Sequence, residues 1–164
     1  MASSKVFPQP LAHSHNCLAL YAIHDSVEEV LADYLTPNDL RELGIHREEM
    51  KLDGNGGPLF FSHYDDFNFT DRCDAVSKKD WAMRDHKLPH FVVLMCTSID
   101  AGQNLLRSEI TVILKIMHGR LRSRSTRPHT IAPIAPFSIA GPHHLRVTEA
   151  YYNGERLVIR VNLS

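Results

Sequence analysis

Leu145-Arg146-Val147-Thr148-Glu149-Ala150-Tyr151-Tyr152-Asn153-Gly154-Glu155-Arg156-Leu157-Val158-Ile159-Arg160-Val161 is the stretch that decides the fold. Asn-Gly between two runs rich in β-branched and aromatic residues is the strongest short-range signal for a β-hairpin. A two-residue loop at Asn153-Gly154 would set Tyr152 opposite Glu155, Ala150 opposite Leu157, Thr148 opposite Ile159 and Arg146 opposite Val161. That face is largely apolar and is expected to cover a helix. The opposite face carries Leu145, Val147, Glu149 and Tyr151, with Glu149 in diagonal reach of Arg156 and Arg160.

Working outward, the next signal lies upstream. Phe91-Val92-Val93-Leu94-Met95-Cys96-Thr97 is a continuous apolar run, expected to be a strand buried on both faces. A turn follows, then a helix over about Gln103 to Arg122. Leu106, Ile110, Ile113, Leu114, Met117 and Leu121 recur there at helical spacing and form one apolar stripe. The chain then reaches Ile131–Ile139, a second apolar run. Strand, helix and strand in this order predict a parallel crossover unit. Pro133 and Pro136 lack the amide that a central ladder uses, so the second strand is expected to start late, to bulge or to lie at an edge.

The run Ala132-Pro133-Ile134-Ala135-Pro136-Phe137-Ser138-Ile139-Ala140-Gly141-Pro142-His143-His144-Leu145-Arg146-Val147 continues into Glu149-Ala150-Tyr151-Tyr152-Asn153-Gly154 and Leu157-Val158-Ile159-Arg160. It resembles uncharacterised proteins of filamentous fungi that share a Phe-Ser run, Gly-Pro-x-His, a hairpin with Gly at its tip and a closing Leu-Val-Ile-Arg. The likeness covers about the last third of the chain and the helix before it, and departs at Pro136. It supports the fold and implies no activity.

The first half is punctuated differently. Residues 1–16, with Pro8 and Pro10, read as a poorly ordered arm, and residues 17–164 as a single globular domain. Cys17 to Ile23 fits either a strand or the lead into a helix. Ser26-Val27-Glu28-Glu29 has the pattern of a capping box and predicts a helix starting there. Thr36-Pro37-Asn38-Asp39 predicts a second short helix, with Pro37 in its first turn and Gly44 at its end. Lys51 to Pro58 is a glycine-rich turn, Leu59 to Tyr64 a strand, and Ser77 to about His86 a helix through Trp81.

Composition narrows the function classes. The 164 residues hold 43% hydrophobic and 23% charged residues, with a formal net charge of −1. No global field therefore draws the chain to nucleic acid or an anionic membrane. Three cysteines in no paired spacing fit a reducing compartment, and no apolar run approaches the ~20 residues of a membrane-spanning helix. Together these features predict a cytoplasmic protein with no membrane contact. Histidine is unusually frequent, at 11 residues, so mild acid should turn the charge positive.

Several clusters carry potential chemistry. His13, His15 and Cys17 are soft-metal ligand types at alternate positions, on one side of an extended chain. They lack the fourth ligand of a structural zinc site, and no metal or other cofactor is expected. Lys115, Arg120, Arg122, Arg124 and Arg127 form a basic cluster. Cations there complement the carbonyl end of the helix, or contact phosphate. No aromatic residue is interleaved for base stacking, which disfavours nucleic acid as the partner. The element order loosely resembles the core of restriction-endonuclease-like nucleases, whose metal-binding acids would have to be drawn from Asp65, Asp66, Asp100 and Glu109. The Glu-x-Lys of that family is missing from Val93–Thr97. Cys96 in its apolar strand is expected to be inert, and Asp25 adjoins His24 at a predicted helix start.

The sequence thus predicts an α+β (or α/β) domain: a small mixed sheet, N-terminal helices, one crossover helix and a C-terminal hairpin. The sequence names no ligand or partner; its function is expected to be that of a non-enzymatic cytosolic interaction module, with a protein among the partners it admits. A degenerate nuclease and nucleic-acid binding through the arginines are the alternatives.

Overall fold

The computed structural model describes residues 9–50, 81–82, 91–97, 99, 102–124, 129–140 and 144–162. Its elements in chain order are α1 (Gln9–Glu29), β1 (Tyr34–Leu35), α2 (Pro37–Glu42), β2 (Ile45–Glu49), β3 (Trp81–Ala82) and β4 (Phe91–Thr97). They continue as β5 (Leu105–Leu106), α3 (Arg107–Arg122), β6 (Ile134–Ala140), β7 (His144–Tyr152) and β8 (Leu157–Val161). The class is α+β, with a mixed sheet in the order β2-β8-β7-β6-β4-β3 and a two-stranded ribbon of β1 with β5.

The crossover is present. β4 and β6 pair in parallel from Phe91↔Ile134 to Thr97↔Ala140, with α3 between them in sequence. All six stripe residues from Leu106 to Leu121 are buried, and most join one core cluster with Phe91, Ile134, Ala150, Leu157, Ile159 and Val161. Burying each such side chain stabilises the fold by about 1.5–3 kcal/mol. β6 starts at Ile134, just past Pro133, yet lies inside the sheet. Its register with β7 runs from Ile134↔Ala150 to Ala140↔His144, with no registered pair at Ala135 and Pro136. The carbonyl of Pro133 accepts from the Phe91 amide at 3.0 Å, so this proline still serves the ladder as an acceptor.

The hairpin forms with a different loop. Tyr152 pairs with Leu157, Ala150 with Ile159, and Thr148 with Val161. The register is displaced by two residues from a two-residue loop, because Asn153 closes a longer turn. Its Oδ1 accepts from the amides of Glu155 at 3.0 Å and Arg156 at 2.9 Å, while its own amide donates to Arg156 O. An even displacement keeps every side chain on its expected face. Glu149 now stands directly opposite Arg160.

Other expectations are corrected. Residues 9–16, read in the sequence as part of an arm, are the first turns of α1, and residues 1–8 lie outside the described residues. Pro10 is tolerated because first-turn amides have no intrahelical acceptor. Ser26 consequently lies inside α1 rather than at a helix start, and Cys17–Ile23 is helical. Asn16, Leu20 and Val27 are buried, with Ile23 and Val30 packed beside them, which is a helical stripe facing α3. Trp81–Ala82 pairs antiparallel with β4 instead of continuing a helix. β4 is buried at Phe91 and Val92 but exposed at Leu94 and Cys96, so it is not enclosed on both faces. β2, absent from the sequence reading, runs parallel to β8 from Ile45↔Leu157 to Glu49↔Val161. The glycine-rich turn at residues 51–58 and the strand at residues 59–64 lie outside the described residues.

α2 matches its prediction in detail. The Asp39 amide donates to Thr36 Oγ1, and the Thr36 amide donates to Asp39 Oδ2 at 2.8 Å, a reciprocal capping box. Gly44 follows with φ 69°, the left-handed conformation that releases the chain into β2.

Candidate functional site

α1 and α3 lie side by side, held at both ends. At one end His13 Nδ1–H donates to His129 O at 2.9 Å, and Asn16 Nδ2 donates to Thr130 O at 2.7 Å. At the other, the Arg107 amide donates to Asp33 O at 2.9 Å. Between them opens a groove of about 310 Å³, lined by Tyr21 and His24 from α1 and by Leu114, Lys115, His118, Gly119 and Arg122 from α3. Helical spacing builds both walls. Tyr21 and His24 are three residues apart, with Glu28 four further on in contact with His24 and Lys115, and Lys115, His118 and Arg122 are spaced in the same way.

The groove is polarised along its length. Toward the end of α1, Glu28 Oε1 lies 3.2 Å from Lys115 Nζ and 3.3 Å from His24 Nε2. The Lys115 hydrogen bond, with the nearby charges of His24 and Arg107, holds the Glu28 carboxyl below its ordinary range. Toward the end of α3, Arg122 is exposed and forms no ion pair among the described residues. Between these ends the His118 ring stands 5.9 Å from that of Tyr21, tilted by 50°. Burial, then the charges of Arg122 and His24, push the His118 imidazole below its ordinary value. Beyond the rim, Leu18 is 71% and Tyr21 56% exposed, an apolar ridge along the outer side of α1.

Gly119 sits in the middle of α3. A glycine there costs about 0.5–1 kcal/mol of helix stability relative to alanine. A Cβ at this position would meet nothing within 4 Å, so no neighbour in the fold requires the glycine. What the missing side chain provides is open backbone on the groove wall.

The sequence-derived candidates divide. Lys115 and Arg122 come together in the groove, while Arg120 is drawn away and lies over the Phe91 ring at 5.7 Å. Arg124 is exposed, and Arg127 is outside the described residues. The four described cations, Lys115, Arg120, Arg122 and Arg124, therefore do not act as one patch, since Arg120 is turned onto Phe91. His13, His15 and Cys17 do not converge as extended neighbours would, because they lie on a helix. His13 Nε2 reaches Cys17 Sγ at 3.8 Å, and His15 is exposed on another side. No group of three or more metal-binding side chains occurs among the described residues. Burial raises the Cys17 thiol above its ordinary value, partly offset by Arg122.

Among the carboxylates considered for metal chemistry, Asp65, Asp66 and Asp100 lie outside the described residues. Glu109 is buried, with Oε2 accepting from Arg146 at 2.9 Å and from the Leu106 amide at 3.0 Å. It is engaged in the architecture. Asp25 is exposed, and the carboxylate beside His24 is Glu28, one helical turn on. A second polar cluster on the outer sheet face joins Arg160 to Glu48 at 3.0 Å and to the Tyr151 hydroxyl at 3.2 Å, with Glu149 at 3.9 Å. It ties β2, β7 and β8 together.

Sequence reasoning missed Tyr21, His118 and Gly119. The signal available was the matched spacing of polar residues on the two helices, hidden while the start of α1 was misplaced. Comparison with descriptions of protein families, with curated proteins and with solved structures finds no match to this chain. No helix among the described residues is long and apolar enough to cross a membrane.

Proposed function

We propose that this chain is a non-enzymatic protein-interaction module, and that its α1–α3 groove receives an acidic segment of a partner protein. The observation that carries this reading is the groove itself, with two fixed cations and two imidazoles against one carboxylate, opening beside Gly119. Charge complementarity selects an acidic occupant. The exposed Leu18–Tyr21 ridge adds an apolar contact beside the charges, so the fitting segment alternates carboxylates with apolar side chains. An extended nucleic-acid strand fits less well, since Arg120 is turned onto Phe91 and does not extend the line of cations.

The test is fluorescence anisotropy with a fluorescein-labelled peptide of alternating glutamate and leucine. A lysine–leucine peptide and a labelled single-stranded oligonucleotide serve as comparisons. Binding of the acidic peptide alone, weakened roughly tenfold by Arg122→Glu, is the expected result. Equal or tighter binding of the oligonucleotide would replace this reading with nucleic-acid recognition. No binding of the acidic peptide at low salt would remove it.

A further inference from the structure

Resting on that docking reading, we propose that the partner's carboxylate seats between His118 and Arg122 and that His118 takes up a proton as it does so. Docking then tightens as pH falls from about 8 to about 5.5, a window in which ordinary carboxylates stay ionised.

Two observations place the carboxylate. Glu28 already shows what the groove does with an acid: its Oε1 lies between His24 and Lys115, at 3.3 and 3.2 Å. The other end of the groove also offers an imidazole and a fixed cation, here one turn apart on α3 alone rather than across the two helices, with no ion pair to Arg122 among the described residues. A carboxylate arriving there meets Arg122 directly and His118 beside it.

The proton follows from the charges facing His118. From α1 these are Tyr21, His24 and, farther along, Glu28; from α3 they are Lys115 and Arg122. Cys17 also lies close enough to feel Arg122. In the free protein, burial and then the charges of Arg122 and His24 push the His118 imidazole below its ordinary value. An anion between His118 and Arg122 reverses the balance, because an opposite charge within ~4–6 Å favours the charged imidazole. Each unit by which docking raises this pKa is worth about tenfold in affinity across the titration.

The acidic peptide is titrated against the full chain at pH 8.0 and pH 5.5 at constant ionic strength. The wild type is expected to bind roughly tenfold more tightly at pH 5.5 than at pH 8.0, and His118→Gln is expected to bind equally at the two pH values, whatever its absolute affinity. His46→Gln, on β2 and outside the groove, controls for general histidine titration. In the wild type, proton NMR should show the His118 ring titrating at higher pH when peptide is present, which tests the linkage without any substitution. Equal affinity at both pH values overturns the proton linkage and leaves the docking reading standing. A dependence that survives in His118→Gln, or a ring that titrates identically with and without peptide, also overturns it. Absence of binding at both pH values overturns the linkage together with the docking reading.

Discussion

Arg146 and Glu109 meet in the interior at 2.9 Å, one projecting from β7 and the other from the first turn of α3. Their side chains are only 8% and 6% exposed. Arg146 also donates to the carbonyls of Asn104 at 2.8 Å and Gly102 at 2.5 Å, while Glu109 caps the Leu106 amide. One guanidinium thus fixes the segment that enters α3. Removing either partner leaves a buried charge uncompensated, so Arg146→Ala should lower stability by about 3–5 kcal/mol in urea denaturation. The double substitution Glu109→Leu with Arg146→Met should recover only part of this, because the carbonyls and the Leu106 amide stay unsatisfied.

Gly119→Ala separates stability from binding. The helix should gain about 0.5–1 kcal/mol, read as a higher thermal midpoint, since the new methyl meets nothing within 4 Å. Affinity for the acidic peptide should fall, because the methyl occupies the groove wall. A variant both more stable and undiminished in binding would show that the glycine has no part in docking.

The hairpin and the groove show which parts of the structure were legible in the sequence. Faces were readable because strand side chains alternate with period two, and a register error of two residues leaves them unchanged. Loop length was not, since Asn153 can serve either a tight turn or the wider one that its side chain closes. α3 was legible from its stripe, though the expected start at Gln103 was too early, since Leu105–Leu106 forms β5 and the helix begins at Arg107. α1 was not, because Pro10 and the plausible cap at Ser26 suggested a later start. With α1 misplaced, Tyr21 and His24 could not be set opposite Lys115 and His118. Half of the groove was therefore out of view. β2 reads Ile45-His46-Arg47-Glu48-Glu49, too polar to announce a strand, and its pairing is fixed by β8 rather than by its own propensity.

The α2 cap makes stability depend on acid. Hydrogen bonds from the Thr36 side chain and backbone hold the Asp39 carboxyl below its ordinary value. Its contribution is therefore complete above the unfolded carboxyl pKa of about 3.9 and is lost as pH falls through the lower folded value. Thr36→Ala should cost about 1 kcal/mol at pH 7 and less in strong acid, measured by urea denaturation at each pH.

Thiol labelling should separate the described cysteines. Cys96 is exposed, whereas Cys17 is half-buried with its thiol raised by burial. Iodoacetamide at pH 8 should therefore modify Cys96 well before Cys17, followed by peptide mass spectrometry. Faster labelling of Cys17 would mean that the α1–α3 contact opens readily.

The parallel pairing of β2 with β8 has a consequence for how the chain is made. Ile45 finds its partner only at Leu157, far along the sequence, and the other interior strands, β4, β6 and β7, lie between them in the chain. While a ribosome is still adding those residues, β2 has no neighbour and the apolar stripe of α3 lacks part of its cover. The sheet closes late, after long-range contacts have been found, which is the slow regime of folding. Until then, the nascent chain presents the kind of surface that chaperones recognise.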